Sequence, residues 1–278
     1  MNNLTNVQQG TEMAMANFMG GNGVAQGFEN IDQDDLMLGK IKLLQATSDE
    51  VASRKGGPGQ FYNSQTGTSS DEVICYFMKV SKPRSCFERP YKKGSKPKCR
   101  SIDGVCGLPA EGGKRSCKGC PEADWDAAKA AGKTKPDCTE SYAWLGALMD
   151  GDIPFRFTCS GENVKITRAF INTLIYKKAS MFCHVVKLTS VQTSNDKGTF
   201  YTVKYELVES YTPDEFAKLD PAKQQELVKA WTERQNMATS LATFFDRAIE
   251  HDTINVDSEN VIDGNTSEAS KTEEGQLF

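Results

Sequence analysis

Residues 99–125 read CRSIDGVCGLPAEGGKRSCKGCPEADW, and residues 133–139 read KTKPDCT. Cys117 and Cys120 form a Cys-x-x-Cys knuckle, which seventeen residues separate from Cys99 on one side and seventeen from Cys138 on the other. One close pair of cysteines with two distant single ones is typical of the closed tetrahedral site that four thiolates build around structural zinc. We therefore predict zinc ligands at Cys99, Cys117, Cys120 and Cys138.

Cys106 is a fifth thiol in this stretch, and it can replace Cys99 as a ligand. Cys99 follows the end of a basic strand, whereas Cys106 stands in a loop beside glycine, so we assign Cys99 and leave Cys106 and Cys86 as free thiols. A cluster of disulfide bonds is the alternative. Metal is favoured because residues 1–18 contain neither the basic nor the apolar segment of a secretory signal. We expect the cytoplasm of a bacterium, including an infected one.

The region between Pro83 and Asp137 contains few large apolar side chains. They are Phe87, Tyr91, Ile102, Val105, Leu108 and Trp125. A segment of this size cannot build a sufficient core from so few, and such segments normally need a metal or disulfides. Bound zinc contributes roughly 10–16 kcal/mol of apparent free energy, which is enough to replace the missing core.

The charges of the chain are separated along the sequence. Nine bases and one acid lie between Lys79 and Arg100, whereas Asp252–Phe278 contains seven acids and one base. The chain has a net charge of −4, so without that tail it carries +2. This separation predicts a polyanionic partner for the basic run, with the acidic tail competing for the same surface.

The order of elements predicts a mainly β (α+β) fold. Several strands, one helix over Ile166–Lys177 and a final hairpin favour a small Greek-key barrel of the OB type, interrupted by the cysteine-rich insertion. The expected organisation is a flexible arm (1–27), a barrel (28–211) with the zinc insertion at 83–140, a helical segment (212–250) and a disordered acidic tail (251–278). No apolar run approaches the roughly eighteen residues of a membrane span.

Aromatic residues are interleaved with the basic run. This composition is typical of a groove for single strands, in which cations follow phosphates and rings stack on bases for roughly 1–3 kcal/mol each. Strand alternation puts Phe77 on the face of Lys79 and Tyr76 on the other, so Phe77 is the stacking candidate and Tyr76 a core residue. The predicted DNA-binding residues are Phe77, Lys79, Lys82, Arg84, Phe87, Arg89, Tyr91, Lys92, Lys93, Arg100 and Arg156. The alternative is a solvated charged loop with its aromatics packed inward.

Other residues receive simpler interpretations. Trp125 and Trp144 are expected to be packing residues, and Cys75, Cys159 and Cys183 to be buried thiols. No catalytic motif occurs, and the chain has two histidines. An all-thiolate zinc has no open position for water, so we expect no enzymatic activity.

The C-terminus ends Glu273-Glu274-Gly275-Gln276-Leu277-Phe278. It resembles the acidic tails of bacterial and phage single-stranded-DNA-binding proteins, which end in acids and a terminal Phe. The resemblance implies that Glu273, Glu274, Leu277 and Phe278 bind replication or recombination proteins, with the ring and carboxylate docking in basic pockets.

The cysteine stretch also resembles a family of phage and prophage proteins. The shared pattern is C-x-S-x-D-G at residues 99–104, C-x-x-C-P at residues 117–121, Trp125 and Cys138. The resemblance implies single-stranded-DNA binding in phage replication and recombination, similar in plan to the zinc-containing helix-destabilising proteins of T-even phages. Two features depart from the pattern: Cys106 is extra, and the T-even module uses a histidine where this one has only thiolates.

Two other functions remain open from the sequence. The first is a zinc-bearing interaction protein that regulates host RNA polymerase or another replication enzyme through its acidic tail. The second is a nuclease or recombination enzyme with scattered carboxylates, which no motif supports.

Overall fold

Two sheets, five α-helices and two short 3₁₀ helices (Pro121–Ala123 and Met181–Cys183) make up the part of the chain that the computed structural model describes, residues 38–88, 95–195 and 198–254. The strands are β1 (Gly39–Leu43), β2 (Phe61–Asn63), β3 (Thr68–Ser70), β4 (Glu72–Ser81), β5 (Arg84–Cys86), β6 (Cys99–Ser101), β7 (Cys106–Pro109), β8 (Arg115–Ser116), β9 (Cys138–Glu140), β10 (Tyr142–Leu148), β11 (Pro154–Cys159), β12 (Val185–Asn195) and β13 (Gly198–Glu209). The helices are α1 (Asp49–Ala52), α2 (Trp125–Ala130), α3 (Asn163–Tyr176), α4 (Pro213–Phe216) and α5 (Pro221–Ile254).

The larger sheet has eight strands in the order β13-β12-β4-β10-β11-β1-β2-β3. Its neighbours are antiparallel except for the parallel pair β1–β11. Just after β1, the side-chain amide of Gln45 donates to the carbonyl of Tyr201 in β13 and accepts from its backbone N–H. These two bonds connect the β1 end of the sheet to β13, which is five strands away in the sheet order. The eight-stranded sheet is therefore curled into a half-barrel.

The inner face of this sheet packs around Trp144 of β10, which is fully buried. Its ring stacks on Phe77 of β4 at 4.3 Å between centroids, and Phe170 of α3 and Tyr205 of β13 lie against it. Phe170 and Tyr205 are themselves stacked at 4.4 Å. Helix α3 thus covers the inside of the curl, and the prediction that Trp144 is a packing residue is confirmed.

Helix α5 covers the outer face of β4 and β10. Phe245 and Ile249 of the helix are buried against Tyr76, Met78 and Leu145 of the two strands. The register of the strand pair shifts between Leu145 and Gly146, which leaves one extra residue in β4. A bulge of this kind interrupts the alternation of side chains.

Lys79 lies on this outer face as a result of the bulge. Its Nζ is 2.7 Å from Asp246 and 5.5 Å from the ring centroid of Phe245. Phe77 belongs to the inner core instead. The prediction that Phe77 and Lys79 share a face is therefore wrong.

The second sheet contains five short strands in the order β8-β7-β6-β5-β9 and lies in the connection between β4 and β10. We call residues 84–140 the cysteine-rich module. Asp124 caps its helix α2 by accepting from the backbone N–H groups of Asp126 and Ala127. The fold is a mixed α+β structure made mostly of strands, as the sequence predicts. The predicted N-terminal arm (1–27) and nearly all of the acidic tail lie outside the described residues.

No helix in the described ranges is both long and apolar enough to cross a bilayer.

Among the described residues, His184 is the core group whose protonation is expected to affect stability near neutral pH. It is fully buried, its Nδ1 lies 2.9 Å from the Ser210 hydroxyl, and its Nε2 has no hydrogen-bond partner among the described residues. Burial, reinforced by Lys177, lowers the pKa of His184 below its ordinary 6.5. A lowered pKa means that folding favours the neutral ring. Its stabilisation is therefore complete above about pH 6.5 and is lost as the pH falls below that value.

We expect the free energy of unfolding in urea to be lower at pH 5.5 than at pH 7.5, and the difference to shrink in His184→Gln. The measurement is a pair of urea titrations for each protein. An equal pH dependence in the two proteins would assign the effect to other groups.

Candidate metal site and adjoining cleft

The four cysteines chosen from the sequence line one small cavity of about 10 Å³. Strand β6 supplies Cys99 and strand β9 supplies Cys138, while Cys117 and Cys120 lie in the turn after β8. All nine cysteines of the chain are free thiols. Burial raises the pKa of Cys138 to about 11; Arg84 opposes this rise, and the neighbouring thiols Cys120, Cys117 and Cys99 add to it. The fold thus brings together cysteines that are 39 positions apart in the sequence.

Cys86, which the sequence predicts to be a free thiol, is the direct strand neighbour of two of these cysteines. In β5 it stands directly between Cys99 of β6 and Cys138 of β9, so the three side chains share a face of the small sheet. Burial raises the pKa of Cys86 to about 12, and Cys138 adds to the shift. Neither Cys86 nor Cys106 is among the residues that line the cavity. Cys86 is the alternative ligand that the sheet favours, because it is paired with both Cys99 and Cys138, and this could be recognised only once β5 was known to pair with β6 and β9.

The donor chemistry of the cavity fits zinc. Four thiolates around Zn²⁺ leave two net negative charges, which neighbouring N–H donors stabilise. Arg84, Arg100 and Arg115 line the same cavity, and Arg115 donates a hydrogen bond to Cys99. The Nε atoms of Arg84 and Arg100 are buried without a hydrogen-bond partner in the described part of the chain. Within those residues, however, no group of three or more His, Cys, Asp or Glu side chains is already set at the spacing that holds a metal ion.

The S-x-D-G part of the cysteine pattern forms a turn. The Asp103 carboxylate accepts from the backbone N–H groups of Val105 and Cys106 and from the Ser101 hydroxyl. Gly104 has a φ of +74°, and a Cβ atom there would lie 2.7 Å from the Lys82 carbonyl. This turn sets the direction in which the chain enters β7, next to the cavity.

Most of the predicted DNA-binding cations that the structure describes are paired with carboxylates. Lys79 binds Asp246 at 2.7 Å and Arg100 binds Glu250 at 2.8 Å, both on helix α5. Lys82 and Arg84 each approach the same oxygen of Glu140 at 3.0 Å. Four cations of the basic run are therefore paired with acids that are distant in sequence.

Three of the predicted contacts are corrected by burial. Phe77 is 0% exposed and stacks on Trp144, so no base can reach its ring. Arg156 is 8% exposed and donates to the carbonyl of Leu38, which makes it a structural residue. Phe87 is 7% exposed, too little for a stacking platform, although it lines the cleft described next.

The remaining predicted contacts lie outside the described residues. They are the DNA-binding residues Arg89, Tyr91, Lys92 and Lys93 and the partner-binding residues Glu273, Glu274, Leu277 and Phe278.

A cleft of about 670 Å³ separates the cysteine-rich module from the start of helix α3. The module contributes Arg84, Phe87, Trp125 and residues 135–140, and the opposite wall is made of Ser160, Gly161, Glu162, Val164, Lys165 and Arg168. Trp125 is 57% exposed, so the expectation that it packs inward is wrong. The cleft has the size of a ligand site.

Glu140 holds the two walls of the cleft together. Besides Lys82 and Arg84, it accepts a hydrogen bond from Arg168 of α3. Burial raises the pKa of Glu140, but Lys82 and Arg168 outweigh that effect and keep the pKa below its usual range. The module is thus attached to α3 through one carboxylate that serves three cations.

The fold and the site define an α+β protein with a curled half-barrel and a cysteine-rich module beside it. Residues 8–81 match the model of a family described as Pam3 phage gp34-like protein, which indicates a phage protein. The match covers about a quarter of the chain, including strands β1 to β4, and ends before the cysteine-rich module. No curated protein and no solved structure matches the chain.

Proposed function

We propose that this protein binds single-stranded DNA without sequence preference in phage DNA replication and recombination, in the cytoplasm of the bacterial host. The observation that supports it best is the strand order β13-β12-β4-β10-β11, with helix α3 between β11 and β12. This is the order of the five strands of an OB barrel opened between its third and fifth strands. Strands β1 to β3 extend the sheet from β11 at that opening.

The position of the cysteine-rich module agrees with the same assignment. In OB folds, oligonucleotides bind to the face of the second and third strands and to the loops that join strands one to two and four to five. Here the module occupies the connection from β4 to β10, the first and second strands of the assigned barrel. This position supports the proposal that the module contacts the DNA.

We further propose one structural zinc ion held by Cys99, Cys117, Cys120 and Cys138. The shared cavity and the arginine side chains around it support this ligand set. The zinc would fix the module against the half-barrel, and it has no open position for a catalytic water. Recruitment of replication or recombination proteins by Glu273, Glu274, Leu277 and Phe278 remains a prediction.

The test is a fluorescence titration of the full chain with poly(dT) at several salt concentrations. We expect the logarithm of the affinity to fall linearly with the logarithm of the salt concentration, with a slope of about −2 to −4 for three to five neutralised phosphates. A duplex of the same length is the control and should bind more weakly. Equal affinity for single and double strands, or no binding at low salt, would overturn the proposal.

A further inference from the structure

We infer that the single strand lies in the cleft between the cysteine-rich module and helix α3, with Trp125 as its stacking platform and Lys165 as a phosphate contact. This inference rests on the proposed function and names the residues that carry it. Neither Trp125 nor Lys165 belongs to the contacts that the sequence predicts.

The outer face of β4 and β10 is closed to a DNA strand. Helix α5 covers β4 and β10 there, and Phe245 and Ile249 are buried against the two strands. Asp246 and Glu250 of the helix hold Lys79 and Arg100. A strand on that face would have to displace the helix, together with its buried apolar contacts and two ion pairs.

The cleft, in contrast, is open and contains an aromatic ring. Trp125 is the first residue of helix α2, where the Asp124 cap and the preceding Cys120-Pro121 turn fix its backbone. Its side chain is more than half exposed, while Trp144 is fully buried. Aromatic rings beside a cationic surface are the stacking platforms of single-strand grooves, because every base offers a π-face.

The charge of the cleft suits a phosphate backbone. The residues that line it include four cations, Arg84, Lys135, Lys165 and Arg168, and three carboxylates, Asp137, Glu140 and Glu162. Lys82 and Lys133 pair with Glu140 and Asp137 and add two positive charges beside the cleft. The side chain of Lys165 is 80% exposed, more than those of Lys82, Arg84, Lys133 and Arg168, and its pairing with Glu162 is long, at 3.5 Å. Exposed pairs of this kind contribute little, so a phosphate can take the place of Glu162.

The test compares two cleft variants with two matched controls in binding to fluorescein-labelled (dT)₂₀. Trp125→Ala is paired with Tyr176→Ala, because Tyr176 is an exposed aromatic (82%) at the far end of α3. Lys165→Glu is paired with Lys204→Glu, because Lys204 is an exposed lysine of β13 and its substitution changes the net charge by the same amount. Trp125→Phe retains a stacking ring. Zinc content and thermal unfolding are measured for every variant, so that a folding defect is not mistaken for a lost contact.

We expect Trp125→Ala to weaken binding about 5- to 150-fold and Trp125→Phe to recover most of the affinity. We expect Lys165→Glu to reduce the salt slope by about one, and each control to stay within about twofold of wild type. Photocrosslinking of 5-iododeoxyuridine oligonucleotides should label the peptide that contains Trp125. If wild type binds (dT)₂₀ but the cleft variants behave as their controls do, the cleft is not the path, although the proposed function stands. If wild type does not bind, the function itself fails.

Discussion

Cys117→Ser combined with Cys120→Ser is expected to abolish the proposed zinc site and to unfold the cysteine-rich module while the curled sheet stays folded. The module has almost no core of its own: apart from Pro97, Gly107 and Pro136, its buried described residues are Cys86, Phe87, Cys99, Ser101 and Ala128. The two apolar clusters of the protein consist of buried residues from outside the module. Structural zinc contributes roughly 10–16 kcal/mol of apparent free energy, which no other interaction of the module can replace.

Metal analysis, limited proteolysis and thermal unfolding together measure this effect. Wild type should contain one zinc per chain, and the double variant none, with rapid cleavage within residues 84–140 and retention of the main unfolding transition. DNA affinity should fall in the double variant, because the cleft loses the wall that carries Trp125.

Single cysteine variants define the ligand set. Cys106→Ser and Cys183→Ser are the controls and should keep the metal. If Cys86→Ser loses zinc while Cys99→Ser keeps it, then Cys86 is the ligand and the sequence-based choice of Cys99 is corrected. A wild-type protein purified without zinc, or a double variant as resistant to protease as wild type, would refute the metal site.

The sequence could predict that Cys99, Cys117, Cys120 and Cys138 line one cavity, because the spacing of metal-binding cysteines follows the same pattern in many different folds. A knuckle and two distant single cysteines need only a few short strands to meet, and β6 and β9 supply them. The final hairpin and helix α3 could also be predicted from the sequence, since apolar periodicity and turn residues are local signals.

The central strand β10 could not be predicted in this way. It reads YAWLGAL and is buried on both sides, by the inner aromatic core and by helix α5. A continuous apolar run lacks the alternation that identifies a half-exposed strand. Gly146 in this strand lies at the bulge, where a Cβ atom would come within 2.9 Å of the Tyr76 carbonyl.

The candidate site was misjudged for a related reason. Lys79 and Arg100 looked like free cations because their partners Asp246 and Glu250 lie 167 and 150 positions away in the sequence. Phe77 looked accessible because strand alternation was assumed to continue through the bulge at Met78. Neither an ion pair between residues distant in sequence nor a β-bulge can be recognised from a short stretch of sequence.

Phe245→Ala is expected to lower the free energy of unfolding by about 3–5 kcal/mol, because the ring is fully buried between α5 and the outer face of β4 and β10. Its loss also removes the surface over which Lys79 lies, and so loosens the ion pairs of Asp246 and Glu250. Urea unfolding measures the stability. Phe170→Ala, which removes a ring of the inner core, is the matched control because it leaves both ion pairs in place.

The same variant separates the two possible paths of the DNA. If the strand lies in the cleft beside Trp125, releasing Lys79 and Arg100 should change the affinity for (dT)₂₀ by no more than about threefold, through a small gain in positive potential. If the DNA strand instead binds on the outer face, loosening α5 should raise the affinity much more in Phe245→Ala, and the control Phe170→Ala should show no such gain. Asp246→Asn with Glu250→Gln frees both cations at a cost of about 0–2 kcal/mol, since exposed pairs contribute little. Because this double variant keeps the helix docked, a large gain in affinity from it would show that the charges of α5, rather than its apolar contacts, keep DNA from the outer face.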